Sequence, residues 1–417
     1  MDSSRRADAA FAVCYVAFVF AGVYKDAWYV AWAPLDLTLA FGLAAAAVAG
    51  WLALRGRLRV TRAGIVITGL FTAFALYAVV SGIWSPSTDY YLSKAFRLVG
   101  VTGLTLGLGA LVVASSARRL RYTGFATVGF SLVAVVETFV RYLQSGDTAI
   151  YPFGTNYLIT GRVLGLGIVI LTGYLVLSRA DRRLTTAAGI VLPPATYALL
   201  VIGSRGPLVA AVGAIGLLVV AGLLIGRLPN GRWALGAYAA AVGLAGYVAF
   251  TVARHLETIT RLLWLLEGPG QSLGARFTYW QQTIAGLGPA TLPFGHGLGS
   301  WPVVLGYGDA QDYPHNILLE VAFELGLVGL ALLLSLFAVG VGVAIREWAD
   351  HGRPVHLVLL ALFAYMLANT MVTGDLNENR YLFAVCGVLA YRVAPRRYAV
   401  PSLATVREAI GSSGSPT

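Results

Sequence analysis

TVARHLETITRLLWLLEGPGQSLGARFTYWQQTIAGLGPATLPFGHGLGSWPVVLGYGDAQDYPHNILLEVAFE, from Thr251 to Glu324, is the one sizeable piece of polar chemistry in the chain. It opens with the charged Ala253-Arg254-His255-Leu256-Glu257 and passes through Gly274-Ala275-Arg276-Phe277-Thr278-Tyr279-Trp280 and the glycine-rich Gly295-His296-Gly297-Leu298-Gly299. It closes on Tyr313-Pro314-His315-Asn316. No other part of the chain goes this far without an apolar run of membrane length, about 20 residues. On both sides of it the chain reads as one membrane helix after another. Any reactive groups should therefore lie on this stretch or face it.

Composition agrees. The chain is 58% hydrophobic and 12% charged, with a mean hydropathy of +0.75, whereas soluble domains carry about a quarter charged residues. The expected fold class is an all-α integral membrane protein. The net charge of +11 comes almost wholly from arginine, with Lys25 and Lys94 the only lysines. It is too dispersed for nucleic-acid binding and reads as topology and lipid electrostatics. Cys14 and Cys386 both sit in apolar runs without a CxxC or Cys/His neighbour, so they read as small buried hydrophobes and not as a metal or redox site. Arg5 and Arg6 precede the first apolar stretch, but no small-residue cleavage signature closes it. It is read as the first span.

Apolar runs of membrane length give about twelve spans: 9–24, 35–54, 63–84, 95–114, 122–143, 158–178, 185–203, 208–225, 233–252, 317–344, 356–373 and 381–393. The long loop falls between the ninth and the tenth. Alternate connections, with the two ends of the chain, hold twenty of the thirty basic residues. By the positive-inside rule that side is cytoplasmic, both termini included, and the loop is extracytoplasmic. The domain reading is one polytopic membrane domain over residues 1–400, with 253–316 as its outer catalytic loop. A flexible cytoplasmic tail rich in Ser, Gly and Pro follows over 401–417.

The other ten basic residues run against this rule: Lys25, Lys94, Arg97, Arg141, Arg162, Arg205, Arg254, Arg261, Arg276 and Arg380. Most fall at outer ends of spans, where a ring of guanidinium groups suits a polyanion anchored in that leaflet. Ordinary pairing or snorkelling is the alternative. It suits Arg141, one turn after Glu137, and Arg254 near Glu257. Arg205 is different. It lies in Gly203-Ser204-Arg205-Gly206-Pro207, a very short turn between two spans, where a charge is costly without a partner and points to a ligand.

Several segments in order carry a family resemblance: SGIWSP from Ser81, GSRGPLVAAVGAIGLLVV from Gly203, ARFTYW from Ala275, GHGLGSW from Gly295 and PHNILLEVAFELGLVGL from Pro314. With the long loop, they make the chain resemble the O-antigen ligase and O-antigen polymerase superfamily of bacterial membrane glycosyltransferases. The resemblance implies transfer of a glycan from undecaprenyl pyrophosphate to an acceptor hydroxyl on the outer face of the inner membrane. The acceptor is lipid A core for a ligase and another glycan repeat for a polymerase. It implies Arg205 and Arg276 as contacts to the pyrophosphate and His315 as the residue that activates the acceptor. Arg97, Arg162, Asn316, Glu324 and Tyr279 are counted as supporting residues. No cofactor and no metal are implied.

The chemistry is consistent with this. Fixed cations stabilise a leaving pyrophosphate, and histidine is a base near ambient pH. Of the five histidines, His296 competes with His315 from within the glycine-rich segment. Tyr279 and Trp301 suit stacking on sugars or anchoring at the interface equally. Glu320 and Glu324, at i,i+4 and in line with Asn316, are expected to hold arginines or His315. Asp375, Asn377 and Asn379 read as a turn. Asp309-Ala310-Gln311-Asp312 lacks DxD spacing, and no GxxxxGK[ST] phosphate loop occurs. A transporter or flippase of lipid-linked glycans is the alternative, although no repeat of the two halves is visible.

Overall fold

The computed structural model describes residues 3–30, 32–145, 150–177, 182–224, 257–267, 270–393 and 397–399. Lipid leaves backbone N–H and C=O groups no partner but each other, so apolar runs must close their hydrogen bonds internally as helices. The spans are α1 (Ser3–Tyr24), α2 (Leu37–Leu54), α3 (Arg62–Val80), α4 (Asp89–Val113), α5 (Ala117–Ser145), α6 (Tyr157–Leu177), α7 (Arg182–Val201) and α8 (Arg205–Leu224). The loop contributes α9 (Glu257–Glu267), α10 (Gly270–Ala285) and the single turn α11 (Ser300–Val304). The chain then returns through α12 (Ile317–His351), α13 (Pro354–Thr370) and α14 (Arg380–Val388). The protein is thus an all-α integral membrane protein, with nine helices among the described residues long and apolar enough to cross a bilayer.

Those nine match nine of the spans read from the sequence. The span at 233–252 lies outside the described residues. The last two differ in length: α13 has 17 residues and α14 has 9. Leu382, Phe383 and Cys386 on α14 are fully enclosed, so this short helix sits within the protein. α4 is α-helical at its start and middle and widens into π-helical turns over Arg97–Thr102 and Gly109–Val113.

Helix ends are fixed by side chains. Asp36 caps α2 through Leu39 N, Thr61 caps α3 through Gly64 N, and Asn316 caps α12 by accepting from Leu318 N and Leu319 N. The start of α4 is capped from the far loop. Asp309 accepts from the amides of Thr88, Asp89 and Tyr90 and from the Ser87 hydroxyl. These bonds hold its carboxyl well below the usual carboxylate range.

The arginine-rich connections gather at one end. There β1 (Arg59–Thr61) pairs antiparallel with β2 (Arg397–Ala399). Glu347 accepts from Val393 N at 2.9 Å and from Arg392 Nε. Asp8 sits between Arg118 and Arg119. The described part of the long loop lies at the opposite end, where the carbonyl of Arg261 on α9 accepts from Arg205.

Candidate active site

Arg205 opens α8, and its Nη1 donates to the carbonyl of Arg261 on α9 at 2.8 Å. Arg276 lies on α10. The two guanidinium groups line one cavity of about 510 Å³. Its other walls are mostly apolar, from Leu262 and Leu273 in the loop and from small residues of α8 and α13 such as Ala210, Gly213 and Ala368. The first turn of α8 also lines it, so the positive end of that helix faces inward. Among the described residues no carboxylate pairs with either guanidinium. Burial first, then the charge of Arg205, disfavours the Arg276 cation. Two cations held together with no counter-charge make a site for an anion.

His315 stands in the left-handed region at φ 56°, a conformation that costs a residue with a side chain about 1–2 kcal/mol. Its neighbours impose it. The Trp280 indole donates to Pro314 O at 2.8 Å, and Asn316 is committed to capping α12. Tyr279 lies parallel to the imidazole with centroids 6.2 Å apart, and Tyr313 meets it edge-on at 4.6 Å. Nδ1 is buried with no hydrogen-bond partner. Burial, then Arg276, then Arg162 lower the His315 pKa to about 4. At neutral pH the ring is uncharged and can accept a proton.

The glycine-rich segment builds structure. α12 breaks at Gly326, φ 64° and ψ −164°, which frees carbonyls of the preceding turn. His296 N donates to Phe323 O at 3.0 Å and Gly297 N to Glu324 O at 2.7 Å. A Cβ on Gly295 would lie 2.3 Å from Glu324 O, so only glycine permits this approach. His296 stacks on Phe323 with Nδ1 3.2 Å from Phe323 O. It braces the break, and among the described residues His315 is the loop histidine whose pKa the arginines act on. Trp301, considered for sugar stacking or anchoring, does neither. It is fully buried, and its Nε1 donates to Thr283 Oγ1 at 2.8 Å.

Glu320 and Glu324 do not hold arginines or His315. Both take Lys94 of α4, at 2.5 and 2.7 Å, with all three side chains out of contact with solvent. Two carboxylates on the inner face of a span need a cation, and Lys94 supplies it. The Asp375–Asn379 turn knits this group to the site. Leu376 N donates to Glu320, Asn377 to Lys94 O, and Tyr90 OH to Asp375. Arg162, 1% exposed, reaches Asn379 Oδ1 at 3.2 Å. It is a turn, as expected, but its side chains point inward.

The structure therefore brings Arg205, Arg276, His315, Tyr279 and Asn316 to one end of the bundle, with Arg162 close enough for its charge to act on His315. Arg97 is exposed, and its charge acts on Glu378. Glu324 faces Lys94. Arg141 pairs with Glu137 at 3.0 Å as expected, while Arg254 lies outside the described residues. Glu378 was missed by sequence reasoning. It accepts from Tyr313 OH at 3.0 Å and from Gln311, and burial followed by Asp375 raises its carboxyl above the usual range. A carboxylate in a short turn gives no signal of burial.

Fold and site define a polytopic helical membrane protein with a cationic, apolar-walled cavity under a helical loop. Residues 188–334 match the family model described as O-antigen ligase. The chain is also 25% identical over 311 residues to an O-antigen ligase of Pseudomonas aeruginosa, covering 73% of this chain and 71% of that one. Both findings support the O-antigen ligase superfamily, the resemblance read from the sequence.

Proposed function

We propose that the chain is a glycosyltransferase that moves a glycan from undecaprenyl pyrophosphate to a hydroxyl of lipid A core at the outer face of the inner membrane. The observation that carries this reading is the cavity that Arg205 and Arg276 share, whose other lining residues are mostly apolar. The names of the matched family and relative favour ligase over polymerase.

In this reading the pyrophosphate lies between the two guanidinium groups and the first turn of α8. Ala210, Gly213, Ala214, Ala364 and Ala368 leave a groove along α8 and α13 for the polyprenyl chain. From Arg205 to Ala214 it runs roughly 14 Å into the bilayer. The acceptor oxygen attacks the anomeric carbon, and its proton passes to neutral His315. The bond from that carbon to the pyrophosphate breaks, and its electron pair stays on the leaving group, where the arginines meet the growing charge. Phosphate beside Arg276 also offsets a charge that depresses His315, so donor binding raises the basicity of the imidazole. The arginines supply the cationic charge, and the reaction proceeds without a divalent metal.

The test uses purified protein in detergent with an undecaprenyl pyrophosphate oligosaccharide and EDTA, with lipid A core or with no added acceptor. Glycan on lipid A core is expected, and His315→Ala abolishes it without lowering the yield of protein. A ladder without acceptor indicates a polymerase. Bound donor with no product in either tube indicates transport. Wild-type transfer by His315→Ala removes that residue from the chemistry.

A further inference from the structure

At the arginine-rich end a second cavity of about 460 Å³ lies among Asp8 of α1, Arg57 and Arg59 after α2, and Ser116, Arg118 and Arg119 at the start of α5. It is separate from the first. α4 carries Lys94 near one end and leads into Ser115 and Ser116 at the other, and its 25 residues span roughly 37 Å.

Four arginines and a single carboxylate, Asp8, line this second cavity. Asp8 divides itself between Arg118 at 3.5 Å and Arg119 at 3.6 Å. Arg119 is only 5% exposed and donates to the carbonyl of Arg57 at 3.3 Å. Such a lining favours an anion. Ser116, Arg118 and Arg119, at the start of α5, line the same space, at the positive end of that helix. Trp51 takes the guanidinium groups of Arg55 and Arg57 over its ring at 5.7 and 5.6 Å and is 36% exposed. A half-exposed tryptophan between arginines marks headgroup depth. The lining is polar apart from Leu52, Gly56 and the stems of the arginines, so the cavity suits a headgroup and not an acyl chain.

We propose that this cavity binds a phosphate group, with Arg57, Arg59, Arg118 and Arg119 on its oxygens. The phosphate comes from an anionic phospholipid headgroup or from free phosphate.

Full-length protein in non-ionic detergent is titrated with dihexanoyl-phosphatidylglycerol, inorganic phosphate and phosphate-free dihexanoylglycerol, with binding followed by thermophoresis. Arg57→Gln/Arg59→Gln changes two exposed side chains, and Arg118→Gln changes a third lining group independently. Each is expected to weaken phosphatidylglycerol or phosphate at least tenfold at an unchanged melting temperature, while Arg57→Lys/Arg59→Lys retains most of the affinity. Arg346→Gln, at the same end but outside this lining, is expected to bind as the parent does. Lipid bound tenfold or more tightly than inorganic phosphate assigns the site to a headgroup, and equal affinity assigns it to free phosphate. The proposal is overturned if the glutamine variants of the lining bind both as the parent does. It is equally overturned if dihexanoylglycerol matches phosphatidylglycerol, or if Arg346→Gln loses as much binding as they do.

Discussion

The indole Nε1 of Trp280 donates to the carbonyl of Pro314 at 2.8 Å, one residue before His315. Through that bond α10, which carries Arg276, also sets the left-handed backbone of His315, so anion contact and imidazole belong to one rigid unit. Trp280→Phe keeps the ring and removes the donor. A net hydrogen bond of about 1 kcal/mol predicts a fall in kcat of about fivefold. KM for the lipid-linked donor should hold, since Arg205 and Arg276 remain. Steady-state kinetics on purified protein decides it, and a rise in KM at constant kcat would contradict the positioning role.

Lys94 between Glu320 and Glu324 binds α4 to α12 beneath the site. Removing one member of a buried ion cluster leaves uncompensated charge and costs about 3–5 kcal/mol. Lys94→Met should therefore lower the melting temperature sharply and reduce extractable protein. Lys94→Met/Glu320→Gln/Glu324→Gln should recover much of that loss, because no charge is left stranded. Thermal melts of both variants in the same detergent test the argument, and an unchanged melt for Lys94→Met would refute it.

The membrane class and most spans were legible because lipid admits few backbone solutions. The run at 381–393 misled on length, since apolarity does not distinguish lipid from protein surroundings, and Leu382 and Phe383 face protein. At the site, Arg205 was visible from the shortness of its turn, while His315 and Arg276 came through the resemblance. The partner of Glu324 was not legible. Lys94 is 230 residues away, and nothing local encodes that pairing. Nor did the glycines of 295–299 announce their purpose, which becomes clear only against the break in α12.

That break gives a sharp test. A Cβ on Gly326 would lie 2.5 Å from both Gly295 N and Pro293 O, at a φ of 64°. Gly326→Ala must push the loop off α12 or straighten the helix. Either should prevent accumulation of folded protein. Gly107→Ala, whose Cβ meets nothing within 4 Å, should fold normally. Fluorescence size-exclusion profiles of the two variants compare them directly, and a monodisperse Gly326→Ala would show that the break is dispensable.

Acid should act on His315 in a defined window. Burial, Arg276 and Arg162 lower its pKa from 6.5 to about 4, so between those values the unfolded chain takes up a proton that the folded chain does not. Stability therefore falls as pH drops from 6.5 toward 4, and this residue contributes no further change above 6.5. For catalysis, the acid limb of kcat/KM should lie near pH 4, not near 6.5. Arg276→Gln should shift that limb upward even as it lowers the plateau. Rates from pH 4 to 8 supply the readout, and a limb at 6.5 in the parent protein would show that His315 is not held neutral by these groups.

Arg276→Lys separates charge from shape. Lysine keeps a cation in the cavity but loses the planar fork that contacts two phosphate oxygens at once. If Arg276 serves only to draw the anion in, the lysine variant should work nearly as well as the parent. The shared cavity with Arg205, its apolar walls and the lack of a carboxylate partner among the described residues favour a directed contact, and charge-assisted hydrogen bonds contribute about 1.5–3 kcal/mol each. Arg276→Lys should then lose about tenfold to a hundredfold in kcat/KM, with Arg276→Gln lower still. The same ordering should appear in the affinity for inorganic pyrophosphate, measured without acceptor. Equal affinity of lysine and arginine for pyrophosphate would reduce Arg276 to a point charge and leave Arg205 as the directional contact.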